Sequence, residues 1–141
     1  MQGVSAACSA FSFPVRVYYE DTDGAGVVYY ANYLKFMERA RSEWLRALGF
    51  EQDVLRDEAG IVFVVRRAEI DYLSPARFND QIEVSTRLHE MGRASLSMKQ
   101  ELIRGSTRLA EGVVTLACVD ALRFKPVKIP EALLQALARA T

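Results

Sequence analysis

Two hydrophobic periods share this chain, and the switch between them limits what it can fold into. Over residues 30–48 the apolar side chains recur at helical spacing. Tyr33, Met37, Ala40, Trp44 and Leu48 form one stripe, flanked by Leu34, Phe36 and Leu45, while Lys35, Arg39, Ser42 and Arg46 lie opposite. Gly49 stands where a left-handed residue would end that helix. From residue 61 the period drops to two. Residues 61–73 start apolar on both faces and then alternate. In residues 81–89, Ile82, Val84, Thr86 and Leu88 point one way and Gln81, Glu83, Ser85, Arg87 and His89 the other. Residues 93–103 alternate again, with Ala94, Leu96, Met98 and Leu102 inward, and residues 107–121 make a last, more apolar strand. Met91-Gly92 and Arg104-Gly105-Ser106 read as tight turns, so these three strands are expected to run antiparallel. Residues 13–20 read as a short first strand. Residues 52–58 read as a short helical piece, and residues 131–139 as a helix after Pro130. One apolar-faced helix and one sheet give a two-layer α+β domain, with the sheet wrapped around the long central helix.

At 141 residues the chain is sized for one domain. It is expected to span 13–141 behind a flexible N-terminus of residues 1–12. Eighteen basic and eighteen acidic residues give a formal net charge of zero, and they are interspersed. No basic arm for nucleic acid and no polybasic membrane patch is visible. Cys8 and Cys118 are too far apart for a short-spaced motif, so a reducing compartment is expected. The opening MQGVSAACSAFSFP lacks a charged n-region and an apolar core, and no run is long enough to span a membrane. These features read as a soluble, cytoplasmic protein.

The histidine count removes most catalytic kits. His89 is the single histidine and falls on the polar parity of its strand, where the ordinary reading is a solvated side chain. Neither a zinc cluster nor a Ser-His-Asp site has its parts, and no phosphate-binding glycine loop is present. No metal and no cofactor is expected. Carboxylates remain, and they collect in YEDTDGAGVVYYANY, residues 19–33. Glu20, Asp21 and Asp23 run into a turn that Gly24 and Gly26 allow, and the helix starts seven residues after Asp23. The N-terminal amides of a helix are unpaired and carry the positive end of its dipole. A carboxylate beside such amides is a minimal kit for cleaving an acyl group. Spacing alone nevertheless favours an ordinary acidic turn, because Asp and Gly are the usual turn residues.

The string VRVYYEDTDGAGVVYYANYLKFMERARSEWL, together with FVVRRAEIDYLSPARFNDQIEV, GRASLSMKQ and CVDALRFKPVKIP, resembles the hotdog-fold acyl-CoA thioesterases of the 4-hydroxybenzoyl-CoA thioesterase family. Within that family it is similar to the YbgC-like, Tol-Pal-associated branch. The resemblance covers residues 13–130 and implies a hotdog fold, hydrolysis of an acyl-CoA to free acid and CoA, and homodimers or homotetramers with sites at the subunit interface. It puts the catalytic aspartate at Asp23, as nucleophile or general base, and the oxyanion donor at the Tyr30 backbone N–H. It implies Arg93 and its neighbour Ser95 as phosphate contacts, with Arg66 and Arg67 as weaker candidates. It implies the backbone of Phe63, Val64 and Val65 against the pantetheine arm. Asn32, in the first turn of the helix, is counted with these substrate- and CoA-binding residues and is expected to support the Asp23 loop. The branch usually carries histidine where this chain has Tyr30. A phenol is a poor base at neutral pH, so the expected role of Tyr30 is its amide. The branch's association with Tol-Pal and phospholipid-synthesis proteins implies an alternative, an acyl-binding or scaffold protein with little turnover.

Overall fold

The computed structural model describes residues 10–140. Five strands form one antiparallel sheet: β1 (Phe11–Arg16), β2 (Ile61–Tyr72), β3 (Gln81–Met91), β4 (Ser95–Arg104) and β5 (Thr107–Asp120). Their order is β1-β3-β4-β5-β2, which leaves β1 and β2 as the edges. Helix α1 (Tyr30–Ala47) lies on the inner face, and α2 (Glu131–Arg139) follows Pro130. A short helical piece, Gln52–Val54, runs into a π turn at Leu55–Ala59 before β2. The expected order of elements is the observed one.

α1 buries Tyr33, Phe36, Met37, Ala40, Trp44 and Leu45 against Ile82, Val84, Leu96, Met98, Leu102 and Val114 of the sheet. Its end is closed by two hydrogen bonds, from the Gly49 N–H to the Arg46 carbonyl (3.0 Å) and from the Phe50 N–H to the Leu45 carbonyl (2.9 Å). One polar residue joins the buried set, Arg41. Its spacing from Met37 and Trp44 puts it on the inward arc, where a charge is the least expected side chain.

Three details depart from the expected pattern. The first strand ends at Arg16 instead of running to residue 20. The Asp21 carboxylate accepts the Tyr18 N–H (2.9 Å), and the Asp21 N–H donates to the Tyr18 carbonyl (3.0 Å), closing a 3-10 turn at Tyr19–Asp21. β1 also begins at Phe11, paired with Thr86, two residues before the expected domain boundary at 13. The rest of the expected flexible N-terminus, with Cys8, lies outside the described residues. Finally, two strands carry bulges. One between Leu88 and Glu90 makes His89 the extra residue, and His89 is exposed as expected. Another between Val65 and Arg67 makes Arg66 the extra residue. It keeps Ala68 and Ile70 on the inner face with Val65 and turns Arg67 outward, where Arg67 pairs with Glu69 at 3.2 Å.

β2 extends past the helix. Val65 is 54% exposed although it faces inward, and Leu34 of α1 is 41% exposed beside it. An apolar groove therefore runs between α1 and the edge strand.

Candidate active site

The acidic segment is built as a small hairpin. The Asp23 N–H donates to the Val27 carbonyl (2.8 Å), and the Gly26 N–H returns to the Asp23 carbonyl (3.2 Å). Gly26 has φ +83°, a left-handed conformation that a side chain would strain. One carboxylate oxygen of Asp23, Oδ1, accepts the Ala25 N–H (2.8 Å), which fixes the side chain over its own turn. Asp23 is exposed, whereas Asp21 is buried.

The hairpin is held in place by the connection between β2 and β3. The Val28 N–H donates to the Ala76 carbonyl (2.8 Å), and the Ala76 N–H donates to the Tyr33 hydroxyl (2.9 Å). Arg104 anchors the same connection through Asp80 (2.7 Å). The helix start is tied to the hairpin at a single carbonyl. Asp21 accepts both the Tyr29 N–H (3.0 Å) and the Asn32 side-chain amide (2.9 Å). The Asn32 side chain thus reaches the hairpin through the Asp21 backbone carbonyl, not through Asp23.

No side chain caps α1. Its Asn32 N–H already bonds the Tyr29 carbonyl (2.8 Å), and the Tyr30 N–H ahead of it has no acceptor among the described residues. Tyr30 lines an aromatic cleft of about 290 Å³ together with Tyr33, Tyr72 and Leu73 among others. Tyr72 is a component that the sequence reading missed. Its hydroxyl donates to the Tyr30 carbonyl (3.3 Å), and its ring meets the Tyr30 and Tyr33 rings edge-on at 6.2 and 5.2 Å. The inward parity of β2 was its only signal. Burial pushes the Tyr72 phenol up, reinforced by Tyr30 and Tyr33, and a hydrogen bond with the Tyr30 side chain pushes the Tyr29 phenol up. Both phenols therefore keep their protons at physiological pH.

The candidate residues fall into two groups. Tyr30 and Asn32 stand in the first turn of α1, where Tyr30 meets Tyr72, and Asp23 lies in the hairpin just before it. Phe63, Val64, Val65, Arg93 and Ser95 gather at the other end of the sheet. Phe63 and Val65 line a cleft with Leu45 and Gln52, near the C-terminal end of α1. Ser95 and Val64 share one row, both paired with Ala117. Arg93 is exposed in the turn between β3 and β4, and its carbonyl accepts the Ile129 N–H (2.9 Å). From Phe63 to Tyr72 the strand covers roughly 30 Å, so one chain does not bring the two groups together.

Among the described residues no group of His, Cys, Asp or Glu could hold a metal ion, and no helix is long and apolar enough to cross a membrane.

The sequence model of the thioesterase-like superfamily matches residues 17–137. The chain is 47% identical over 123 residues to the acyl-CoA thioesterase YbgC of Haemophilus influenzae, covering 87% of this chain and 90% of that protein. It is 44% identical over 124 residues to the acyl-CoA thioester hydrolase YbgC of Escherichia coli O6:H1, covering 87% and 92%. Among solved structures, a probable thioesterase from Bartonella henselae superposes with a TM-score of 0.81 at 36% identity, covering 86% of this chain and 99% of that one. These likenesses bear out the expected hotdog fold.

Proposed function

The chain belongs to the thioesterase-like superfamily, and from that premise we propose that it hydrolyses acyl-CoA thioesters to the free acid and CoA, with Asp23 as the reacting carboxylate. The observation that carries this reading is the junction at Asp21. One carbonyl binds both the helix start and the residue supporting it, so a carboxylate and an uncapped helix amide are held on one small frame. The Tyr30 N–H polarises the thioester carbonyl and stabilises the oxyanion that forms on it. Asp23 Oδ2, the oxygen not bonded to Ala25, either attacks the carbonyl carbon or takes a proton from the attacking water. In the first route CoA leaves as thiolate, and water then opens the mixed anhydride. In the second, hydroxide adds directly and CoA leaves. Both routes end in the same acid and thiol.

The two separated groups of residues support a site assembled from two chains. A two-fold, antiparallel pairing of β2 with β2, centred between Val65 and Ala68, would set Phe63–Val65 of one copy beside the aromatic cleft of the other. Arg93 and Ser95 would then face the CoA phosphates from the second chain. The enzyme works in the cytoplasm, without cofactor or metal.

The test is hydrolysis of short, long and aromatic acyl-CoAs, followed by release of the CoA thiol. Turnover of at least one class, saturable in substrate, is expected. Tight binding of acyl-CoA with no thiol release across the whole panel would instead identify an acyl-binding protein.

A further inference from the structure

Among the described residues two that carry a side chain have a left-handed backbone, Asn79 at φ +73° and Phe124 at φ +57°. Asn tolerates that conformation. A bulky ring strains it, and glycine is the residue such a turn position favours. The hydrogen bonds of the turn impose it. The Asp120 N–H donates to the Lys125 carbonyl (2.9 Å), the Phe124 N–H donates to the Asp120 carbonyl (2.8 Å), and the Asp120 carboxylate accepts the Arg123 N–H (3.0 Å). Packing does not explain the ring, because Phe124 is 62% exposed and residues 122–126 are all exposed. Strain kept beneath an exposed side chain points to a use outside the chain's own core.

The loop stands between the two segments proposed to contact CoA. On one side the Ala121 N–H donates to the Gly60 carbonyl (2.9 Å). Gly60 opens β2 three residues before Phe63, about 10 Å along the strand. On the other side the Val127 N–H donates to the Cys118 carbonyl and the Ile129 N–H to the Arg93 carbonyl, both at 2.9 Å. With the pantetheine arm along Phe63–Val65, the nucleotide is the part of CoA that reaches this loop. An acyl tail needs an enclosed apolar wall, which an exposed loop does not supply. A ring standing alone offers its face, and any nucleobase can stack on such a face. The neighbours suit an anionic ligand. Arg123 and Lys125 flank the ring and form no ion pair among the described residues, while Lys128 meets Glu131 at 3.9 Å.

We propose that Phe124 is a specificity-determining residue that stacks on the adenine of the substrate, so that the enzyme tells an ester of CoA from an ester of the shorter phosphopantetheine. This rests on the acyl-CoA reading above and names the part of the substrate that the strained loop recognises.

Steady-state kinetics of Phe124→Asn test it, with one acyl group carried in turn by CoA and by phosphopantetheine. Asn suits a left-handed backbone, so the variant should melt no lower than the wild type. Loss of the stack should raise KM for the CoA ester about tenfold while kcat holds. KM for the phosphopantetheine ester, which has no base, should not move. Phe124→Tyr keeps the ring and should restore KM for the CoA ester. Equal rises in KM for the two esters would make the ring a structural part and overturn the proposal. So would a wild-type KM for the CoA ester in folded Phe124→Asn, or a Phe124→Tyr enzyme as weak as Phe124→Asn. A wild-type chain that releases thiol from neither ester overturns the thioesterase reading and this proposal with it.

Discussion

Asn32→Ala separates the stability of the junction at Asp21 from its use. The Asn32 amide is one of two donors on the Asp21 carbonyl, the other being the Tyr29 N–H. Truncation therefore leaves no orphaned acceptor. The cost falls at the low end for a neutral, part-buried hydrogen bond, about 0.5–1 kcal/mol, and the melting temperature should drop only about 2–4 °C. Activity should respond far more. Without the amide, the hairpin bearing Asp23 keeps only the Tyr29 N–H at this junction and gains play against the helix start, and a displacement of about 1 Å in such a site costs about a hundredfold. We expect kcat/KM for an acyl-CoA to fall ten- to a hundredfold. Asn32→Asp sharpens the test. It keeps the size, sets an acceptor against an acceptor, and adds a negative charge in the first turn that favours the helix. It should melt near the wild type yet be no more active than Asn32→Ala. A folded Asn32→Ala enzyme with wild-type kcat/KM would refute the idea that this junction orients the site.

Three further outcomes are expected. At Gly112 an added Cβ would lie 2.4 Å from the Glu69 carbonyl oxygen and 3.1 Å from Ile70 Cγ1. Backbone cannot yield as a side-chain tip can, so Gly112→Ala should cost about 3 kcal/mol by denaturant unfolding, and a loss under 1 kcal/mol would contradict the close approach of β2 to β5. Arg93→Ala should raise KM for CoA esters at least tenfold while leaving small thioesters without the nucleotide unaffected; equal effects on both would remove its phosphate role. Burial pushes the Cys118 thiol up. Its native form therefore holds its proton where the unfolded chain, with a thiol pKa near 8.5, loses it. Stability present at neutral pH then declines as pH rises through about 8 to 9. Urea midpoints at pH 7 and 9 should fall further in the wild type than in Cys118→Ala.

The elements that a single period specifies were legible in the sequence. The stripe from Tyr33 to Trp44 predicted α1 within a residue at its C-terminal end, and Pro130 marked the start of α2. What failed locally was decided by tertiary hydrogen bonds. The Asp21 carboxylate stops β1 early by capping Tyr18, and a propensity reading sees only aromatic and β-branched residues there. The bulges at Arg66 and His89 leave no mark in an alternating pattern until the partner strand is known. In the site, the acidic string and the helix start were visible because they are contiguous. Tyr72 was not, because β2 brings it to Tyr30 from forty-two residues away. Arg41 was unremarkable among the arginines of FMERARSEWL, and only the packing of α1 shows that it is buried against Gln100.

The central claim is that Asp23 carries the reaction, and Asp23→Asn tests it most directly. The amide keeps an oxygen for the Ala25 N–H, so the turn should survive. It removes the charge needed either to attack the thioester or to take water's proton. Thiol release from acyl-CoA, measured in a variant that melts like the wild type, should fall at least about a hundredfold. Unchanged turnover in that folded variant would contradict the account.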